Sequence, residues 1–175
     1  IFAHTFLLGV GSPVFHVMFC GEGERFCTGG KEVSVPDVEA DAFIELLRFI
    51  YKEEANVEAS TVMGILYAAK KYLVPGLTKL CLHFLNENVD PSNVCLILKQ
   101  SILYDEDDLT NKCLALIDRQ TEEVFQSEEF LNLDYRTLNL VVARDTLMIR
   151  ECLVFKFVNQ WAEMECARQS LTLNP

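Results

Sequence analysis

The sequence predicts a mainly α chain: an α+β domain, mostly helical with a small sheet, over residues 1–90, then an all-helical stack of hairpins over residues 91–175. Three observations predict it. Apolar residues recur at i, i+3, i+4 and i+7 in nearly every segment after position 40. One short alternation, Val33-Ser-Val35, reads as a strand. Asp90-Pro91-Ser92 interrupts the pattern and marks the domain boundary.

Taken in order, the first segment is a short helix, a Ser-Pro break, and a second short helix whose apolar residues are Val14, Val17 and Met18. Ser12 suits a cap, and Pro13 suits the first helical turn, where its missing N–H would be unpaired anyway. After the Val33–Val35 strand comes a turn at Pro36-Asp37, then a helix with Phe43, Leu46, Leu47 and Ile50 on one face. The acidic stretch KEEANVEAS is a loop, and Ser60 stands where it can cap the next helix, 61–73, whose stripe is Val62, Ile65, Leu66, Ala69 and Leu73. Pro75 ends that helix and opens another bearing Leu77, Leu80, Cys81, Phe84 and Leu85.

Beyond the boundary, Val94, Ile97, Leu98, Ser101 and Ile102 form one stripe, capped by Asp90 or Ser92. Leu109, Cys113, Leu116 and Ile117 form the next, behind an acidic DEDD that favours a helix N-terminus. Thr121-Glu-Glu-Val and Ser127-Glu-Glu-Phe read as helix starts, and Asp134 as the cap of a helix with Leu138, Val141 and Val142. The last helix carries Val154, Phe157, Val158, Trp161 and Ala162 inward, with Lys156, Gln160 and Glu163 outward. No fixed period repeats, which argues against a TPR- or HEAT-type array.

Charge excludes one class of function. The net charge is −11, with 7 Lys/Arg against 12 Asp/Glu in residues 1–90 and 8 against 14 in residues 91–175. A chain acidic throughout lacks the basic stripe that phosphate backbones require. No apolar run approaches the ~18 residues of a membrane span. The seven cysteines are an odd number, and Cys81, Cys95 and Cys113 occupy apolar helical positions, which fits a reducing cytosolic or nuclear compartment. A start at Ile1 without Met, and an end at Asn174-Pro175, predict a fragment of something longer.

Candidate chemistry is sparse. A phosphate loop fails at both ends: Arg25 stands where the first glycine is needed, and Glu32 follows Gly30-Lys31 in place of a hydroxyl. His16 and Cys20 lie one helical turn apart, with Cys27 and His4 as further donors, but no second ligand pair completes a tetrahedral metal site. Cys20 and Cys27 near Arg25 could be reactive thiols, although an ordinary loop thiol is the simpler reading. Glu53-Glu54 and Glu122-Glu123 sit on solvated segments, and no histidine follows a nucleophile motif. The chain reads as non-catalytic, with no cofactor.

The segment IFAHTFLLGVGSPVFHVMF, followed by VSVPDVEADAFIELLRFIY, resembles the BTB (POZ) domain, with SNVCLILKQSILYDEDDLTNKCLALID and VFKFVNQWAE resembling the start of a BACK domain. LYAAKKYLVPGL and AEMECARQ are most similar to the subgroup that adds a terminal PHR β-sandwich. The resemblance implies a protein-interaction module, commonly a homodimer, that acts as a substrate-adaptor scaffold docking the cullin-3 N-terminal domain. It also implies that the Ala3-His4 pair is structural.

Two departures bear on those expectations. Relatives generally carry a strand, a helix and a strand before the Ala-His segment, where much of the dimer interface lies; their absence would put dimerisation in doubt and leave a sheet edge or apolar face uncovered. The hydrophobic-x-Glu element that often follows Met18-Phe19 falls here on Gly23 and Arg25, a loss worth ~1–3 kcal/mol of binding. Phe26 stands where it could replace the lost anchor, and Tyr51 matches a position that often contacts the cullin, although a partly buried structural tyrosine is an equal reading. Met18, Phe19, Phe26 and Tyr51 are therefore the candidate partner-binding residues. The competing class is a scaffold, or a transcription-linked interaction module, that recruits no ligase.

Overall fold

The computed structural model describes residues 1–20 and 33–169, and all regular structure among them is helical. The chain divides between Glu87 and Asn88 into two compact units. The first holds α1 (Thr5–Gly11), α2 (Pro13–Cys20), α3 (Ala40–Lys52), α4 (Val62–Lys71) and α5 (Pro75–Glu87). The second holds α6 (Val94–Leu103), α7 (Asp107–Arg119), α8 (Thr121–Phe125), α9 (Glu128–Leu131), α10 (Tyr135–Val142) and α11 (Glu151–Arg168).

In the first unit the Ser-Pro break works as its chemistry suggests. Ser12 is fully buried, its Oγ accepts from the Phe15 N–H at 3.2 Å, and its hydroxyl donates to the Tyr72 carbonyl at 2.5 Å. That second bond ties the α1–α2 corner to the end of α4 and fixes the rotation of α2. The face α2 buries is then Phe15 and Phe19, not the expected Val14, Val17 and Met18: Val17 is 70% exposed, and the other two are half-buried. Aromatic stacking accounts for the choice. Phe15 lies on Tyr72 at 4.3 Å and near Phe19 at 5.8 Å, burying more apolar area than a valine could.

The strand expected at Val33 and Val35 is not formed among the described residues, so the small sheet is not seen; both valines lie in coil. A strand needs a neighbour for its N–H and C=O groups, and no described segment supplies one. The turn at Pro36-Asp37 does form. From α4, Lys71 Nζ and the Tyr67 hydroxyl both donate to the Asp37 carboxylate. These bonds hold the Asp37 carboxyl below its usual range and raise the Lys71 ammonium above its own.

Helix α3 buries Ala42, Leu46 and Leu47, with Phe43 and Ile50 half-buried behind them. Ser60 does not cap α4. It lies in an exposed turn, and the first N–H groups at Thr61 and Val62 are taken by the Glu58 carbonyl instead. Leu73 also leaves its expected stripe. It adopts φ 52° just past α4, 56% exposed, while Val74 N–H reaches back to the Ala69 carbonyl at 2.8 Å and Leu73 N–H to Lys70 at 3.2 Å. This is a Schellman ending, which places a left-handed residue outside the helix and turns its side chain to solvent. Tyr72, 2% exposed, fills the core position instead. Helix α5 buries Leu77, Cys81 and Leu85 as the spacing requires.

In the second unit α6 and α7 form a hairpin through the same ending: Asp105 takes φ 54°, and Glu106 N–H bonds the Ser101 carbonyl at 2.9 Å. Val94, Ile97, Leu98 and Ser101 are buried on α6, with Leu109, Cys113 and Ile117 on α7; Ile102 is 37% exposed. Thr121 opens α8, where the sequence places a helix start. It is buried inside the first turn of α8, and its hydroxyl donates back to Ile117 and Asp118 carbonyls. Ser127 and Asp134 do cap, accepting from Phe130 N–H and from Arg136 and Thr137 N–H. On α11, Phe157 and Trp161 are the buried residues, and the Trp161 indole N–H donates to the Leu133 carbonyl at 2.8 Å.

One ion pair ties α7 to the segment after α10. Arg144 meets the Asp118 carboxylate side-on, Nε at 2.8 Å and Nη2 at 2.6 Å, with both side chains less than a third exposed. The guanidinium holds the Asp118 carboxyl below its ordinary value. A depressed folded-state value means the pair stabilises above the unfolded-state pKa and is lost as pH falls through the folded one. Asp118→Asn is expected to cost about 1.5–3 kcal/mol at neutral pH, and the difference from wild type should shrink in acid. Urea titrations at pH 7 and pH 3 check this; a difference independent of pH would exclude the charge as its source.

Candidate partner-binding site

Tyr51 occupies the last turn of α3, which is seated by Ala42, Leu46 and Leu47. Gly11, ending α1, brings that helix close to the same turn: a Cβ there would meet Ile50 Cγ2 at 2.7 Å. The close approach places His4, the residue before α1, beside Tyr51. His4 N–H donates to the Tyr51 oxygen at 2.7 Å, and His4 Nδ1 lies 2.9 Å from the same oxygen. The two rings are tilted, with centroids 6.0 Å apart. Tyr51 remains 41% exposed, so its ring is both anchored and available.

The other candidates are placed differently. Phe19 is 8% exposed and stacked on Phe15, a core residue; Met18 is half-buried beside it on α2. No hydrogen bond or ring contact joins either to Tyr51 among the described residues. Phe26, Gly23, Arg25 and Cys27 lie outside the described residues, as does the Cys20 side chain. The pairing of His4 with Tyr51 could not be read from sequence, since the residues are 47 positions apart and neither stands in a motif that names the other.

Two further surface features lie on the first unit. Helix α1 presents Phe6 and Val10, 76% and 73% exposed, and Ile1 and Phe2 ahead of it are exposed as well. An open cleft lies between Asp41, Ile44 and Glu45 of α3 and Asn56, Glu58 and Thr61 of the following loop. Two of its three carboxylates have internal partners: Glu45 accepts from the Asn56 N–H at 2.7 Å, and Glu58 from the Asn56 amide at 2.8 Å.

The buried thiols of Cys81, Cys95 and Cys113 are each pushed up to about 12 by burial, so they are packed hydrophobes and not nucleophiles. Among the described residues, no three His, Cys, Asp or Glu side chains are grouped to hold a metal ion. No helix among them is long and apolar enough to cross a membrane.

Comparison with known proteins agrees with this architecture. The BTB/POZ domain family matches residues 1–89, and the BACK family (BTB And C-terminal Kelch) matches residues 94–173. BTB/POZ domain-containing protein 6 of Xenopus tropicalis is 45% identical over 172 residues, covering 98% of this chain and 32% of the relative. The human protein of that name is 44% identical over 173 residues, 99% of this chain and 32% of the relative. Human BTB/POZ domain-containing protein 3 is 44% identical over 171 residues, 98% and 32%. The chain thus spans about a third of the length of the curated relatives it matches. It belongs to the BTB/POZ domain family, its BTB domain followed by a BACK region, and the pair is a protein-interaction module.

Proposed function

We propose that this chain is the scaffold of a substrate adaptor for a cullin-3 ubiquitin ligase. The observation that carries the reading is a BTB domain running directly into a BACK region, with a tethered, exposed Tyr51 on the first. The BTB surface docks the cullin N-terminal domain through Tyr51 and Phe26, with Met18 and Phe19 supporting the contact from α2. Substrate is captured by a PHR-type β-sandwich in the longer protein, and ubiquitin chemistry belongs to the partners. The exposed Phe6–Val10 face serves self-association, and the unpaired thiols suit a reducing cytosolic or nuclear compartment.

The test is calorimetric titration of the whole protein against the cullin-3 N-terminal domain. Sub-micromolar affinity is expected, falling about tenfold or more on Tyr51→Ala, as for a central aromatic anchor. Phe26→Ala should weaken it as well. No heat from a folded protein would instead support a scaffold or transcription-linked module without a ligase, the reading that Gly23 and Arg25 favour where an apolar residue and a carboxylate are common.

A further inference from the structure

Resting on the reading of Tyr51 as a partner contact, we propose that His4 is its positioning residue. It grips the Tyr51 hydroxyl from two sides, so that a partner meets a fixed ring and an accepting oxygen.

The geometry leaves little freedom. The His4 N–H already donates into the Tyr51 oxygen at 2.7 Å, so the hydroxyl hydrogen must point elsewhere, and Nδ1 lies 2.9 Å away to take it. Only an imidazole carrying its proton on Nε2 can accept there. The His4 backbone is itself anchored, since its carbonyl accepts the Leu8 N–H at 3.1 Å as α1 begins. A tyrosine on the exposed last turn of a helix would otherwise sample several rotamers, and ordering it on binding costs affinity. The two hydrogen bonds to His4 order it beforehand. Because the phenol hydrogen is engaged, the group a partner can offer Tyr51 is a donor, such as an amide, ammonium or guanidinium N–H, which an acidic chain also favours.

The experiment titrates the cullin-3 N-terminal domain into the whole protein as wild type, His4→Ala, His4→Asn, Tyr51→Phe and the His4→Ala/Tyr51→Phe double variant. His4 is exposed, and circular dichroism verifies that each variant is folded. His4→Ala and Tyr51→Phe should each weaken binding about three- to tenfold, and the double variant should be no weaker than the singles. His4→Asn, whose side-chain oxygen can accept where Nδ1 did, should recover most of the loss. Equal binding by His4→Ala and wild type, with Tyr51→Ala still impaired, would overturn the positioning role and leave the adaptor reading intact. No binding by folded wild type would sink the adaptor reading; nitrogen NMR of the His4 ring then decides whether the grip exists. Expected is an Nδ1 resonance displaced by the hydrogen bond it accepts from Tyr51, which returns to the value of a free ring nitrogen in Tyr51→Phe; an Nδ1 resonance unchanged by that substitution would overturn the pairing.

Discussion

Phe15→Ala is expected to destabilise the first unit by about 3–5 kcal/mol, the range for truncating a buried phenylalanine. Phe15 is 2% exposed and sits where three rings meet: stacked on Tyr72 at 4.3 Å, near Phe19 at 5.8 Å, and edge-on to Phe43 at 6.3 Å. Its removal opens a cavity among rigid rings that cannot collapse into it, so both the transfer and the void terms apply in full. It also loosens the corner where Ser12 joins α2 to the Tyr72 carbonyl. The control is Val17→Ala two residues on, at a side chain 70% exposed, which should change stability by less than about 0.5 kcal/mol. Urea denaturation followed by far-ultraviolet circular dichroism measures both. Equal losses would mean that α2 packs through its valines after all.

The second large effect belongs to Trp161, and it separates packing from hydrogen bonding. Trp161→Ala should cost about 3–5 kcal/mol, as for other buried aromatics. Trp161→Phe keeps most of the ring volume but removes the indole donor, leaving the buried Leu133 carbonyl without the bond it makes at 2.8 Å. That variant should cost about 1–3 kcal/mol, the penalty for an unsatisfied buried acceptor. A phenylalanine variant as stable as wild type would show that water reaches Leu133. Because Trp161 is the chain's single tryptophan, both variants must be followed by circular dichroism.

Where sequence reading succeeded, it did so because the signal was local. The stripes Leu77-Cys81-Leu85 and Leu109-Cys113-Ile117 repeat at helical spacing, and the residues at those positions are buried. Asp134 and Ser127 cap because a short acceptor side chain sits two or three residues from the orphan N–H groups it must serve. The same rule applied to Ser60 failed, because the Glu58 carbonyl took the first N–H groups of α4. Leu73 failed because periodicity cannot register that a helix has ended; its neighbour Tyr72 holds the core place instead. Val33 and Val35 form no strand among the described residues, since a strand is a relation between two segments and alternation describes only one.

The family, the order of its two regions and the helical periodicity are local properties of the chain, written in residues close enough to act within one or two helical turns. Which face α2 buries, and what holds Tyr51, are not of that kind. The first depends on Tyr72, which Ser12 and Phe15 meet 60 and 57 positions along the chain. The second depends on His4, 47 positions before its partner. Hydrogen bonds and ring stacking act only at contact distance, so pairs this far apart are chosen by packing, and only the folded chain brings them together.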